Sequence, residues 1–282
     1  MASKYSLAYE AQFDHVHIPL EDGYETSGFY YDVPKAKHAV LLLHGIQSHA
    51  GWFTRTASML QQNNIIVLSP DRRGSGLNQV ERGHAKNNTE MISDIDCWVQ
   101  WLKAKSGIEQ VDIVAISISG KSALPYVHLH PQHVRTLALV SPGLCPKIDI
   151  RLNHKIAIGA KGPKMPFEMH ALPSYGADYL TSNHDMIAFI QSDPLILTEV
   201  TAGYLVALRQ LELKIRRAIK SIELPVGLFL AGCDQITDNG QTIDLLASVT
   251  GNNVFCYKNA QHTLDFDPAV SKYLQDLISF LS

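Results

Sequence analysis

The stretch VAISISGKSAL, Val114 to Leu124, allows two interpretations, and each predicts a different class of protein. The segment AISISGKS fits a relaxed phosphate-binding loop, in which a small residue and four spacers precede Gly-Lys-Ser. The segment AISIS is a variant of G-x-S-x-G, the strand-to-helix turn that presents a nucleophilic serine. The first interpretation predicts a nucleotide-binding protein, and the second predicts an acyl hydrolase.

The composition is that of a globular protein with little net charge. The chain has 282 residues, a formal charge of −3 and 46% apolar residues, so it is long enough to bury a sizeable core. No basic run predicts a nucleic-acid partner, and apolar runs such as Ala39 to Leu43 are too short to span a bilayer. No signal-peptide core is visible at the N-terminus, and the scattered cysteines predict reduced thiols. We expect a cytoplasmic protein with no integral membrane segment, in an oligomeric state that the sequence leaves open.

Strand and helix signals alternate along most of the chain. Short apolar runs predict six strands, and helical spacing between them predicts the crossover helices of a parallel sheet covered on both faces. The alternation stops between Lys147 and Ile222, where we see no comparable strand signal and expect mostly helices. We therefore predict a doubly wound α/β domain with a helical insertion. The predicted strands are HAVLLLHG, NIIVLSPD, VDIVAIS, TLALVSPG, LPVGLFLAGCD and NVFCYKNA.

Three features count against the phosphate-loop interpretation. Ala115 stands where a glycine normally lets the backbone wrap phosphates, and the next strand ends without an acidic residue for magnesium. The stretch also follows two earlier strand units, although this motif usually opens its fold. In the elbow interpretation, Ala115 and Ser119 fill the two glycine positions around Ser117, and both are small enough for that crowded turn.

Two further strand ends supply the groups that a serine nucleophile needs. A serine requires a base, and a carboxylate must orient that base. In folds with a serine elbow the chain order is Ser, acid, His, each after a strand. Asp234 follows the strand in PVGLFLAGCDQITD, and His262 follows the strand in VFCYKNAQHTLDFD. The sequence thus predicts a triad of Ser117, Asp234 and His262.

The motifs together resemble those of α/β-hydrolases of the monoglyceride lipase and lysophospholipase group. The resemblance covers nearly the whole chain, and it implies a hydrolase core at residues 1–146 and 223–282 with a helical cap, or lid, at 147–222. It also implies a serine esterase or lipase that cleaves a small lipophilic ester, with no metal or organic cofactor and with transient contact with lipid surfaces. The matching segments are LLLHGIQSHAGWF, PDRRGSGLNQVERGHAKNNTEMISDID, the Ser117 elbow, LTSNHDMIAFIQSDPLILTEVTAGYL, GCDQITD and AQHTLDFD.

The resemblance also assigns roles to individual residues. It makes Ser117 the nucleophile, His262 the base and Asp234 the acid. The oxyanion hole would be formed by the N–H groups of Ile46 and Ile118. Ile46 directly follows His44 and Gly45, which would bind substrate. The insertion is rich in large flexible apolar side chains, which would line an acyl tunnel or pack the cap onto the core. The substrate-binding candidates among them are Met165, Phe167, Tyr179 and Phe189, with Met169, Tyr175 and Met186 nearby.

Two departures from the group's motifs keep other functions open. The A-x-S-x-S elbow resembles that of acyl-carrier thioesterases of bacterial luminescence systems, so an acyl thioesterase or acyltransferase remains an alternative. The chain has Ser48-His49 where glyceride lipases of this group carry Glu-His, so a residue that would help to recognise a glycerol head is missing. A non-catalytic ligand-binding protein on the same fold is a third alternative.

The remaining polar residues near these motifs have structural interpretations. Asp238 is expected to cap a helix, Arg73 to brace its loop, and Lys121 to be exposed unless it meets an anionic substrate. The histidines at positions 128, 130 and 133 have the density of a metal site, but no carboxylate or cysteine stands close in sequence to complete it. We therefore expect a solvated helix end there.

Overall fold

The computed structural model describes residues 5–149, 152–173 and 176–282, and its elements follow the predicted alternation. Within these residues the strands are β1 (Asp14–Pro19), β2 (Glu25–Tyr31), β3 (His38–Leu43), β4 (Ile65–Pro70), β5 (Val111–Ile116), β6 (Val134–Val140), β7 (Met169–Ala171), β8 (Glu199–Thr201), β9 (Val226–Ala231) and β10 (Val254–Tyr257). The helices are α1 (Thr54–Gln62), α2 (Asn88–Ser106), α3 (Gly120–Leu129), α4 (Leu152–Lys161), α5 (His184–Ser192), α6 (Ala202–Ile219), α7 (Asn239–Thr250) and α8 (Val270–Leu281).

The central sheet has eight strands in the order β1-β2-β4-β3-β5-β6-β9-β10. From β4 to β10 every neighbouring pair is parallel, whereas β1 and β2 are antiparallel additions at one edge. The mostly parallel, doubly wound sheet is the predicted fold class. The strand order reverses around β3, and the carboxyl ends of parallel strands flanking such a reversal border a crevice in which ligands bind.

Both faces of the sheet are buried, which is why its strands are nearly continuous apolar runs. In β3, Leu41 packs into a core with α2, α3 and α6, while Val40 and Leu42 pack on the opposite face with α1 and α8.

The ends of helix α2 are determined by residues next to it in sequence. Asn87 caps α2 by accepting a bond from Glu90 N at 2.9 Å, and Gly107 ends it with a left-handed φ of 72°.

The insertion between β6 and β9 contains α4, α5 and α6, but it also contains strands. β7 and β8, of three residues each, pair antiparallel as a separate two-stranded sheet, for which the sequence carries no strand signal. Helix α6 buries Tyr204, Leu211 and Ile215 in the same core as α2 and α3. One side of the insertion is therefore continuous with the hydrolase core. Among the described helices, none is both long and apolar enough to cross a membrane.

Candidate active site

The turn after β5 holds Ser117 in the conformation of a nucleophile elbow. Ser117 has φ of 53°, which lies in the left-handed region that L-residues rarely adopt. Such a conformation costs about 1–3 kcal/mol and persists where the surrounding structure imposes it. Ala115 is fully buried at the end of β5, and residues 117–119 form a single tight turn before α3. The sharp turn keeps the Ser117 hydroxyl at the edge of the sheet.

The three predicted triad residues lie together. His262 Nε2 is 2.9 Å from Ser117 Oγ, and His262 Nδ1 is 2.8 Å from Asp234 Oδ2. Each of the three follows the carboxyl end of a strand, namely β5, β9 and β10. A hydrogen-bonded chain of hydroxyl, imidazole and carboxylate is the arrangement that allows a serine proton to pass to a histidine.

The Asp234 carboxylate is held in its ionised form. Its Oδ1 accepts hydrogen bonds from Ile236 N at 2.8 Å and Thr237 N at 3.0 Å, and its Oδ2 accepts one from the Thr237 hydroxyl at 2.7 Å. Burial alone would raise the pKa of Asp234, but the charge and hydrogen bond of His262, together with the Thr237 bonds, keep this pKa below its ordinary value. An ionised Asp234 can offset the positive charge of a protonated His262.

The peptide unit between Gly45 and Ile46 is fixed from its carbonyl side. Arg72 Nη2 donates to Gly45 O at 2.7 Å and to Ile46 O at 3.1 Å. His44 Nε2 accepts from Arg72 N at 2.9 Å, so its Nδ1 carries the proton and donates to Gly45 O at 2.8 Å. Because a trans peptide is planar, fixing the Gly45 carbonyl also fixes the Ile46 N–H in the opposite direction. Ile46 lines a cavity together with Ser117.

The peptide unit between Ser117 and Ile118 is fixed in the same way. Ser117 O accepts a hydrogen bond from Gly143 N at 2.8 Å, so the Ile118 N–H points away from that bond. A Cβ at Gly143 would lie 3.3 Å from Ile118 N, so the glycine leaves this N–H uncovered. The N–H groups of Ile46 and Ile118 thus lie on separate loops. Each is fixed in direction because the carbonyl of its own peptide unit accepts a hydrogen bond.

Sequence reasoning did not identify Arg72, and it gave His44 another role. Arg72 is buried, and its Nη1 donates to the Tyr204 hydroxyl at 2.8 Å. His44 is fully buried behind the loop, where burial and the positive charge of Arg72 lower its pKa well below the ordinary value. His44 therefore stays neutral and supports the loop rather than facing the cavity. Gly45 packs against Ser117, since a Cβ there would lie 3.4 Å from Ser117 Cβ.

A cavity of about 700 Å³ opens beside Ser117 between the elbow and the insertion. Its wall is mostly aliphatic and comes from α4, α6 and the loop after β6. Volumes of this order suit a ligand with a hydrophobic chain. The apolar lining residues are Ile46, Ile118, Pro146, Ile148, Ile156, Ile158, Leu172, Pro173, Leu205, Val206, Leu208 and Ile236.

None of the four large side chains predicted to bind substrate lines this cavity. Met165 and Phe167 are exposed, and Phe167 stacks on His84 with ring centroids 4.3 Å apart. Phe189 packs against Trp52 on the opposite side of the sheet, and Tyr179 belongs to the same apolar cluster. Tyr175 lies outside the described residues. Residue size does not distinguish cavity-lining positions in the insertion, since aliphatic residues of α4 and α6 occupy them.

The groups that would bind phosphates in a nucleotide loop are engaged elsewhere. The Lys121 ammonium is buried and paired with Glu212, so the expected exposure of Lys121 was wrong. The Ser122 hydroxyl donates to Ser119 O at 3.1 Å within the helix. The Ser119 hydroxyl donates to His44 O at 2.6 Å and thereby joins the elbow to the Ile46 loop. A glycine at this position could not make that bond.

A buried hydrogen bond joins the insertion to the loop that carries Ile46. His49 Nε2 lies 2.9 Å from Asp193 Oδ2, which also accepts from Trp52 Nε1 at 2.7 Å. Burial would raise the pKa of Asp193, but bonding to His49 and Trp52 lowers it to about 2. Close by in sequence, Leu197 N donates to Gln47 O at 2.9 Å. These contacts form a seam between residues 193–197 of the insertion and residues 47–52 of the core. The pair was not predicted, because its members stand far apart in sequence.

Two charged residues behave as predicted. Asp238 accepts from Gln241 N at 3.0 Å and caps α7, while His262 bonds to Asp234 instead. Arg73 is paired with Asp94 of α2 at 2.9 Å and so fixes its loop to that helix. Asp238 is therefore a helix cap, and Arg73 is a brace of its loop.

The histidines after α3 have a carboxylate partner that sequence proximity did not reveal. Asp96, on α2, offers an oxygen within 4.8 Å of ring nitrogens of His130 and His133. The expectation that no carboxylate lies nearby was therefore wrong. The Lys103 ammonium approaches His133 Nδ1 to 3.0 Å and already places a positive charge at this cluster. His128 is separate and bonds to the Ser221 hydroxyl.

Comparison with known proteins agrees with this geometry. The chain is 23% identical over 216 residues to phospholipase YtpA of Bacillus subtilis, covering 76% of this chain and 82% of YtpA. It is 26% identical over 215 residues to the uncharacterized protein YnbC of Escherichia coli, covering 75% of this chain but only 36% of YnbC. The structure superposes on monoacylglycerol lipase of Paleococcus ferrophilus with a TM-score of 0.83 at 19% identity, covering 92% of this chain and 98% of the lipase.

The sequence profile described as serine aminopeptidase, S33, matches residues 34–269, which is most of the chain. The match includes the Ile46 loop, the elbow, Asp234 and His262. It confirms the α/β-hydrolase resemblance and fold predicted from the motifs. The chain therefore belongs to the serine aminopeptidase S33 family of α/β-hydrolases.

Proposed function

We propose that the chain is a serine hydrolase that cleaves carboxylic esters with a hydrophobic acyl portion. The observation that carries this proposal is the Ser117 hydroxyl, which lies 2.9 Å from His262 Nε2 and opens onto the 700 Å³ cavity. The family and the lipases among its structural relatives agree with this activity. The proposal extends to the triad, since the three side chains have the order and spacing that acyl transfer needs.

In the proposed reaction, His262 Nε2 takes the proton of Ser117 Oγ as that oxygen attacks the ester carbonyl. The negative charge that develops on the carbonyl oxygen is accepted by the N–H groups of Ile46 and Ile118. Such preoriented donors are each worth about 3 kcal/mol toward the transition state. His262 then gives its proton to the departing alcohol, and an acyl-Ser117 ester remains.

Water completes the cycle by the same steps in reverse. His262 removes a proton from water, the hydroxide attacks the acyl carbonyl, and Ser117 Oγ leaves and takes the proton back from His262. The products are the carboxylic acid and the regenerated enzyme. Asp234 keeps the proton on His262 Nδ1 and balances the imidazolium charge throughout.

The first experiment is labelling with a fluorophosphonate probe, followed by mass spectrometry of the modified peptide. We expect the label on Ser117, and we expect Ser117→Ala and His262→Ala to abolish it. Ser122→Ala is the matched control, because that hydroxyl lies in α3 directly after the elbow but bonds only to Ser119 O among the described residues. Absence of labelling, or labelling that survives Ser117→Ala, would refute the proposed nucleophile.

The substrate class is then tested with p-nitrophenyl esters of increasing acyl length. If the aliphatic cavity binds the acyl chain, kcat/KM should rise roughly fourfold with each added methylene until the cavity is filled. A flat or falling series would contradict an acyl pocket. Matched thioesters of the best acyl chain show whether an alcohol or a thiol is the preferred leaving group.

A further inference from the structure

The cavity beside Ser117 contains an ion pair within its aliphatic wall. Lys121 lies four residues after Ser117, about one turn further along the elbow segment, and its side chain is only 6% exposed. It is paired with Glu212 of α6, and both residues line the cavity. The pair thus lines the same cavity as Ser117.

Stability does not account for a buried pair at this position. The Lys121 side chain is 6% exposed and that of Glu212 is 28% exposed. Taking such charges out of water costs up to several kcal/mol per ion, and apolar residues of similar volume often support a fold equally well. A plain hydrocarbon chain would also gain nothing from a charged wall. An ion pair in a mostly aliphatic pocket is explained if a polar group of the ligand meets it.

The hydrogen bonds that Lys121 and Glu212 already make indicate which kind of ligand group they could bind. Both Glu212 oxygens are already used, since Oε1 accepts from Lys121 and Oε2 accepts from Arg209 at 3.0 Å. The Lys121 ammonium has three N–H donors, and among the described residues Glu212 is its one hydrogen-bond acceptor. Arg209 is 68% exposed and adds a second positive charge at the rim. The pair therefore has donors to spare and needs an acceptor.

We propose that Lys121, held by Glu212, forms a polar subsite that binds an oxygen acceptor on the acyl chain of the substrate. The preferred substrates are then esters whose acyl portion carries a ketone, hydroxyl or carboxylate a few bonds from the scissile carbonyl. This inference rests on the proposed function, because it assumes that the acyl group occupies the cavity. Lys121 selects among substrates in this scheme and takes no part in proton transfer.

The test uses two matched pairs of p-nitrophenyl esters. Levulinate differs from valerate by a ketone, and the adipate half-ester differs from hexanoate by a terminal carboxylate. In Lys121→Met, we expect kcat/KM for the oxygenated member of at least one pair to fall about tenfold more than for its plain partner, as expected for a lost charged hydrogen bond. The pair that responds shows whether a neutral or an anionic acceptor is bound.

Two further variants guard against a fold defect. Lys121→Met combined with Glu212→Leu replaces the ion pair by apolar residues and should show the same loss of selectivity in a stably folded protein. Arg209→Gln leaves the Lys121 ammonium in place, so selectivity for the ketone should be retained. Equal losses on both members of each pair, in the single and the double variant, would overturn the subsite. If wild type turns over none of the four esters and takes no fluorophosphonate label, it is the proposed function that fails.

Discussion

The orientation of the Ile46 N–H depends on Arg72, and this dependence can be tested by Arg72→Met. The guanidinium makes three hydrogen bonds, to Gly45 O, Ile46 O and the Tyr204 hydroxyl. Methionine has a similar length but cannot donate, so the first carbonyl would be held by His44 alone. Loss of one oxyanion donor lowers kcat by about 10²–10³-fold in a serine protease. Since the His44 bond remains, we expect Arg72→Met to lose roughly 10- to 100-fold in kcat.

The assay must separate misplaced donors from weakened binding or unfolding. We would measure kcat and KM for p-nitrophenyl butyrate together with the Ki of a trifluoromethyl ketone, whose adduct with Ser117 carries the oxyanion. We expect kcat and inhibitor affinity to fall together while KM changes little. Arg73→Met is the matched control, because Arg73 is equally buried but pairs with Asp94 and Asp22 instead. Retention of wild-type inhibitor affinity in Arg72→Met would refute the reasoning.

Three other variants test the acid, the seam and a buried carboxyl. Asp234→Asn should lower kcat about 10⁴-fold, whereas Asp238→Asn should not; equal losses would mean that the acid is misassigned. Asp193→Ala leaves the N–H groups of His49 Nε2 and Trp52 Nε1 buried without an acceptor and should lower the free energy of unfolding in urea by about 2–6 kcal/mol; a loss below about 1 kcal/mol would contradict a buried, stabilising contact. Burial raises the pKa of Asp265 to about 6, above its unfolded value, so protonation favours the folded state. Asp265→Asn should therefore be more stable than wild type by about 3 kcal/mol at pH 7, with the advantage fading as pH falls from 6 to 4; a constant difference would show that this carboxyl does not titrate as inferred.

The sequence predicted the strand ends that carry the chemistry, because acyl transfer constrains both residue type and chain order. Ser117, Asp234 and His262 each follow an apolar run, and a buried parallel strand is recognisable without any partner. The edge strands β1 and β2 were missed. Their segments, DHVHIP and ETSGFYY, are interrupted by charged and polar residues, so they lack the continuous apolar run of the predicted strands.

The parts that could not be predicted depend on contacts between distant segments. Arg72 and Tyr204 are 132 residues apart, and His49 and Asp193 are 144 apart. No local sequence pattern identifies residues that form hydrogen bonds across such long separations in the chain. The cavity wall was missed for a related reason: which face of α6 meets the core and which meets the cavity is decided by packing against α3. The same packing buries Lys121, which local sequence alone placed at the surface.

The seam between His49 and Asp193 limits how the pocket can admit a ligand. Segment 193–201 is anchored to the core by that pair and by the bonds from Leu197 to Gln47 and from Thr201 to Gly83. Swinging this segment outward as a hinged gate would break all of them, at about 1 kcal/mol for each ordinary hydrogen bond and about 1.5–3 kcal/mol for each bond to the Asp193 carboxylate. Fewer than about one molecule in a thousand would be open at that seam at any moment. Ligands must therefore reach Ser117 with this side of the pocket closed, so rapid exchange of substrate and product depends on movement elsewhere in the insertion.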